Sequence, residues 1–207
     1  RASVLPVYVD YLRLQGRFSE ALMHLSEALA AARATEMPKL VVPLLLAAAR
    51  CEVDLFRLGR AQEYVDELMV SLRPGEYLHL RLEATLLWGR ILVASGEYHH
   101  AAGVLQDTAD RANAAGLCVI EGLANALLGQ VDCFLGKTEE GDARMATAVD
   151  GLVERGRSVA ALDASLVWAR ARGVTLNPTS IFEPVSPLLE QSVAVVPRLE
   201  RLIAERG

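Results

Sequence analysis

Residues 86–116 read LLWGRILVASGEYHHAAGVLQDTADRANAAG. Gly89 follows Trp88 inside an apolar, helix-favouring run, and a second glycine, Gly96, closes that run. Tyr98, Ala101 and Leu105 come next at helical spacing. The stretch therefore predicts two helices packed as a hairpin. Gly89 and Ala101 are small where the two backbones approach, while Trp88, Leu92, Tyr98 and Leu105 fill the space around them.

The same pattern extends in both directions. Upstream, a first repeat covers about residues 3–35: Val4, Val7, Tyr8, Tyr11 and Leu12 form an apolar face, and Gly16 ends the helix. Its second helix carries Phe18, Ala21, Leu22, Leu25 and Ala28, with Ser19 and Glu20 suited to its first turn. A second repeat covers about 38–73. Its first helix is expected over 40–58, with Pro43 near the start and Gly59 in the part of Gly16. Its second helix carries Ala61, Tyr64, Val65 and Leu68, and Tyr64 is expected in the place of the small alanine, loosening the packing there. Arg73, Pro74 and Gly75 break the chain before the third repeat, about 76–116.

Downstream, the fourth repeat covers about 117–156. Gly129 and Gly136 stand seven apart, as Gly89 and Gly96 do, and Gly141, Met145 and Ala148 follow at the spacing of Ala101, Leu105 and Thr108. A partial fifth repeat, 158–173, supplies one helix with Val159, Leu162, Leu166 and Val167 on its apolar face. Pro178, Pro184 and Pro187 then mark a proline-rich loop over 174–187. A last amphipathic helix is expected within 188–206, weakened at Pro197, covering the open end of the stack as solenoids require. The turn glycines Gly16, Gly59, Gly96 and Gly136 are 43, 37 and 40 residues apart, and Gly173 lies 37 beyond the last.

The hairpin pattern resembles the tetratricopeptide repeat, whose signature runs Trp-x2-Leu-Gly-x2-Tyr, then Ala-x3-Phe, then Pro. Gly89, Ala101 and Leu105 carry the match; Trp88 is displaced toward the glycine and the closing proline is missing. All the spacings exceed the standard 34 residues, as in the long helical repeats of bacterial multidomain regulators. The resemblance implies an all-α fold, a right-handed superhelix of antiparallel helical hairpins (an α-solenoid) forming a single domain over 1–207. It also implies a concave groove lined by the first helix of each pair. Groove candidates on that register are Asp10, Arg13, Arg50, Arg57, Glu83, Arg90, Asn125, Gln130, Asp163 and Arg170. The lysines and asparagines with which such repeats clamp a chaperone's C-terminal carboxylate have no counterpart here, where Pro6, Ala49, Val53 and Leu87 occupy the matching positions. The groove is expected to be more apolar, suited to a partner segment whose acids meet the arginines.

Composition agrees with packed helices: hydrophobic residues make up 52% of the 207 and aromatics only 5%. The net charge of −5 argues against nucleic acid as the main partner. The most apolar run, 40–49, is too short to span a bilayer. Cys51, Cys118 and Cys133 lack metal-type spacing and fit buried thiols in a reducing, cytoplasmic setting.

No motif carries catalytic or cofactor chemistry. His99 and His100 are adjacent and so face different sides of a helix, and His24 and His79 have no acid or cysteine at ligand spacing. Glu139, Glu140 and Asp142 belong to a first helical turn, where the dipole favours acids. Gly122 and Gly129 lie inside a helix, which excludes a phosphate loop. The expectation is a protein–protein interaction scaffold or regulatory module, a piece of a larger bacterial protein opening here at Arg1, with no catalysis, no cofactor and no metal. The alternative is a sensor domain whose array binds a peptide or small effector and changes curvature.

Overall fold

A computed structural model describes residues 5–14, 16–34, 38–72 and 77–171. The described residues are all-α: α1 (Leu5–Leu14), α2 (Phe18–Ala34), α3 (Pro38–Asp54), α4 (Leu58–Ser71), α5 (Leu78–Ala94), α6 (Tyr98–Ala114), α7 (Cys118–Phe134), α8 (Thr138–Glu154) and α9 (Ser158–Ala171). From α2 onward each helix begins 20 residues after the one before it. A hairpin therefore repeats every 40 residues, a stricter period than the turn glycines imply.

The turns explain the difference. Residues 16, 56, 96, 116, 136 and 156 all adopt the left-handed conformation, with φ between 57° and 87°. At each of them the amide bonds the carbonyl three residues back and the next amide reaches five back, as in Gly96 N–H to Val93 O and Glu97 N–H to Leu92 O. This paired bonding closes a helix C-terminus and requires positive φ at the first amide's residue, which glycine adopts without a Cβ penalty. In the second repeat that residue is Phe56, at φ 57°, and not Gly59. The first helix there accordingly ends at Asp54 rather than 58, and Gly59 lies inside α4. Gly173 and the helix expected over 188–206 fall outside the described residues.

With the period corrected, the hairpin core falls into columns 40 residues apart. Ala21, Ala61, Ala101 and Gly141 hold the small position of the second helix, and Leu25, Val65, Leu105 and Met145 fill the core one turn on, all 2% exposed or less where a side chain is present. Ala61 is thus the small residue of the second repeat. Tyr64, three residues on, is only half-buried and displaces nothing. The facing first-helix position is Val9, Ala49, Gly89 and Gly129. A Cβ on Gly129 would lie 2.6 Å from the Gly141 carbonyl oxygen, so in the fourth hairpin backbone meets backbone.

The chain divides into two compact units, with the division at Leu87 and Trp88 inside α5. In the first unit, α1 packs on α2 and α3, and α3 packs on both α2 and α4. In the second, α7 is the central element, packed against α6, α8 and α9, with α9 also on α8. Trp168 of α9 donates its indole N–H to Asp142 of α8 at 2.8 Å.

Candidate functional site

Seven of the ten groove candidates fall on two 40-residue columns. Asp10, Arg50, Arg90, Gln130 and Arg170 form one, and Glu83 and Asp163 belong to a second, seven residues upstream of Arg90 and Arg170. Both columns lie on first helices. In the first unit the structure brings several of these side chains together as ion pairs between neighbouring first helices. Arg50 of α3 donates to Glu83 of α5 at 2.8 Å, both half-buried. Arg13 of α1 donates to Asp54 of α3 at 2.6 Å, and both are buried. A charge pair removed from water to this degree leaves a large penalty if one member goes, so Arg13 is a structural cation. Arg57 is exposed, its guanidinium 3.7 Å from the buried carboxylate of Glu52, and Arg60 stands at the same distance from it.

In the second unit Arg90 and Asp163 are half-buried and Gln130 is buried. Asn125 donates its side-chain amide to the Glu121 carbonyl one turn back, at 3.0 Å. Asp10 and Arg170 belong to α1 and α9, with side chains outside the described residues. In the first unit Arg13, Arg50 and Glu83 are therefore struts between helices, and Arg57, expected on a first helix, instead precedes α4 as its N-cap residue.

The residues weighed for chemistry resolve into structure. His100 meets the Trp88 ring edge-on at 5.1 Å between centroids and lies 3.6 Å from Glu97. His24 lies against the Tyr8 ring and 4.0 Å from Glu20 one turn back, so an acid does stand at helical spacing from it, contrary to the sequence expectation. Cys51 is buried while Cys118 and Cys133 are only half-buried, and none of the three is in a disulfide. Glu139 and Glu140 occupy the first turn of α8, exposed, whereas Asp142 serves Trp168. Among the described residues no group of three histidines, cysteines or acids is placed to hold a metal ion. No helix among them is long and apolar enough to cross a membrane.

A feature that reading the repeats one by one did not reveal is an open trough of about 500 Å³ between α7 and α8. Glu121 and Asn125 line it from α7, and Arg144, Thr147 and Gly151 from α8, with Arg155 just beyond. Arg144 is held by Asp132 through its Nε at 3.0 Å, and Arg155 donates Nη1 to the Gly151 carbonyl at 3.2 Å. The 40-residue register carries the signal that finds it, because these positions depart from their columns. Comparison with family models, with curated proteins and with solved structures finds no match for this chain.

Proposed function

We propose that this chain is a protein–protein interaction module of tetratricopeptide-like architecture, in which the hairpins stack as a right-handed solenoid and present their first helices to a segment of a partner protein. The observation that supports this most is the repetition itself: eight helices starting at intervals of 20 residues, with the second-helix core kept in column and the first-helix polar column varied from Arg50 and Arg90 to Gln130. Regular stacking supplies an extended surface, and variation along one column of it is how such a surface distinguishes partners. The reading carries no catalytic role, and it places the chain in the cytoplasm as part of a larger regulatory protein.

The preferred partner is a segment with apolar residues interleaved with acids, the acids meeting Arg90 and the apolar groups meeting Leu123, which takes the place that Glu83 and Asp163 hold in their hairpins. The test is capture of partners from lysate by the chain, by its Arg90→Glu variant and by an Asp107→Asn variant altered on the exposed face of the second helix. The expected result is a partner that Arg90→Glu loses and Asp107→Asn keeps. Retention by Arg90→Glu with loss by Asp107→Asn moves binding to the second helices.

A further inference from the structure

The trough between α7 and α8 can be judged against the other hairpins of the same chain, which serve as internal controls. At the Gly122 position the neighbouring repeats carry Val42, Leu82 and Leu162. A Cβ on Gly122 would touch Leu152, which takes up part of the space that was vacated. At the Gly151 position the second helices carry Ala31, Ser71 and Arg111, so one wall of the fourth hairpin has no side chain.

The charge changes as well. The Thr147 position is Glu27, Glu67 and Asp107 elsewhere, an acid in every other copy. The Arg144 position is His24, Tyr64 and Val104, and the Arg155 position is Thr35, Gly75 and Ala115. The fourth hairpin has therefore lost volume and an acid and gained two arginines, all around one trough. The internal bonds leave capacity there. Among the described residues Arg144 uses Nε alone, on Asp132, and Arg155 uses Nη1 alone, on a backbone carbonyl. Among the described residues the carboxylate of Glu121 takes part in no hydrogen bond or ion pair, and Asn125 donates its side-chain amide to the backbone, which leaves its side-chain oxygen as an acceptor. Since α7 and α8 run antiparallel with Gly122 against Leu152, Glu121 and Arg155 share one end of the trough.

We propose that this trough is a binding site for a small zwitterion of the amino-acid or short-peptide class, its carboxylate received by Arg155 and its ammonium group by Glu121 at one end, with Arg144 at the other end to meet the rest of the ligand. A guanidinium fork matches a carboxylate, and a volume of this size lies in the range of small-molecule sites. Asn125 and Thr147, at the middle, offer acceptors to the ligand's N–H groups. Neither the site nor its ligand depends on the first-helix surface binding a partner.

The test is calorimetric titration of the full chain with each of the twenty amino acids and with glycyl-leucine. Glutarate and inorganic phosphate serve as anions without an ammonium group. Saturable binding of at least one zwitterion is expected, with glutarate and phosphate weaker by about tenfold. Arg155→Gln is expected to weaken the zwitterion by about tenfold, and Glu121→Gln to abolish its advantage over glutarate, a change that mere loss of packing does not produce. Gly151→Leu places a side chain in the trough, where a Cβ would meet the flexible end of Arg155 at 3.1 Å, and is expected to remove binding with an unchanged circular dichroism spectrum. The proposal is overturned if no zwitterion binds, if phosphate or glutarate binds equally well, or if binding survives in both Arg155→Gln and Gly151→Leu.

Discussion

Glu52 shows how far a single position can depart from its column. Forty residues to either side stand Leu12 and Leu92, both buried apolar residues, whereas Glu52 places a carboxylate in the same setting at 1% exposure. Its nearest cations, Arg57 and Arg60, stand 3.7 Å away, beyond good hydrogen-bond distance, on side chains more than half exposed. Their attraction is screened by solvent while the carboxylate carries the full cost of leaving water. Asp54, two residues on, is buried to the same degree but takes a 2.6 Å bond from Arg13. The two acids should therefore respond to substitution in opposite directions. Glu52→Leu restores the column residue and is expected to raise stability by about 1–3 kcal/mol, whereas Asp54→Ala strands the Arg13 charge and is expected to cost about 3–5 kcal/mol. Urea unfolding midpoints at neutral pH measure both. A loss of stability in Glu52→Leu would show that the two weak contacts hold the α3–α4 turn after all.

Helices pack here through small residues, and the fourth hairpin carries that furthest. Gly129 and Gly141 face each other so closely that a Cβ on the first would sit 2.6 Å from a backbone oxygen and from Met145 Cγ, and one on the second 2.6 Å from Cys133 Sγ. Backbone cannot yield as a side-chain tip does. Gly103, by contrast, lies on the exposed side of α6 with nothing within 4 Å of its would-be Cβ. In an open helix glycine is worse than alanine by about 1 kcal/mol, so Gly103→Ala is expected to stabilise by about that amount. Gly129→Ala makes the same change in propensity but forces α7 and α8 apart, and a net loss of about 1–3 kcal/mol is expected. Thermal unfolding of the two variants, read together, separates packing from propensity. The hairpin was legible in the sequence because Gly89, Ala101 and Leu105 combine a close approach with a core residue one turn on. The period was not, because Phe56 holds a left-handed turn that ordinarily signals glycine, and Gly59 nearby supplied a false marker. Once residue 56 is taken as the turn, Tyr64 leaves the small-residue column and Ala61 enters it. Arg50, Arg90 and Arg170 were legible as a column, but Arg50 and Arg13 were not legible as struts, since the Arg50–Glu83 and Arg13–Asp54 pairs join residues 33 and 41 apart that no local pattern connects.

At the scale of the molecule, the contacts within each unit run chiefly between adjacent elements, from α1 through α4 and from α6 through α9. In such chains stability is close to a sum of repeat and neighbour terms, and local openings are graded rather than all-or-none. The division at Leu87 and Trp88 marks where this additivity can be observed, because the Gly129–Gly141 contact belongs wholly to the second unit while α2, α3 and α4 belong to the first. Amide hydrogen exchange on the Gly129→Ala variant provides the measurement. Protection in α7 and α8 is expected to fall by a factor corresponding to the 1–3 kcal/mol of the packing loss, about 5- to 160-fold, with protection in α2–α4 unchanged. A cooperative single-core protein would instead lose protection equally in every helix, because its amides exchange through one global opening. Uniform loss would therefore reject the repeat-array reading even with the hairpin geometry intact, whereas loss confined to the second unit means that α7 and α8 open without α2–α4.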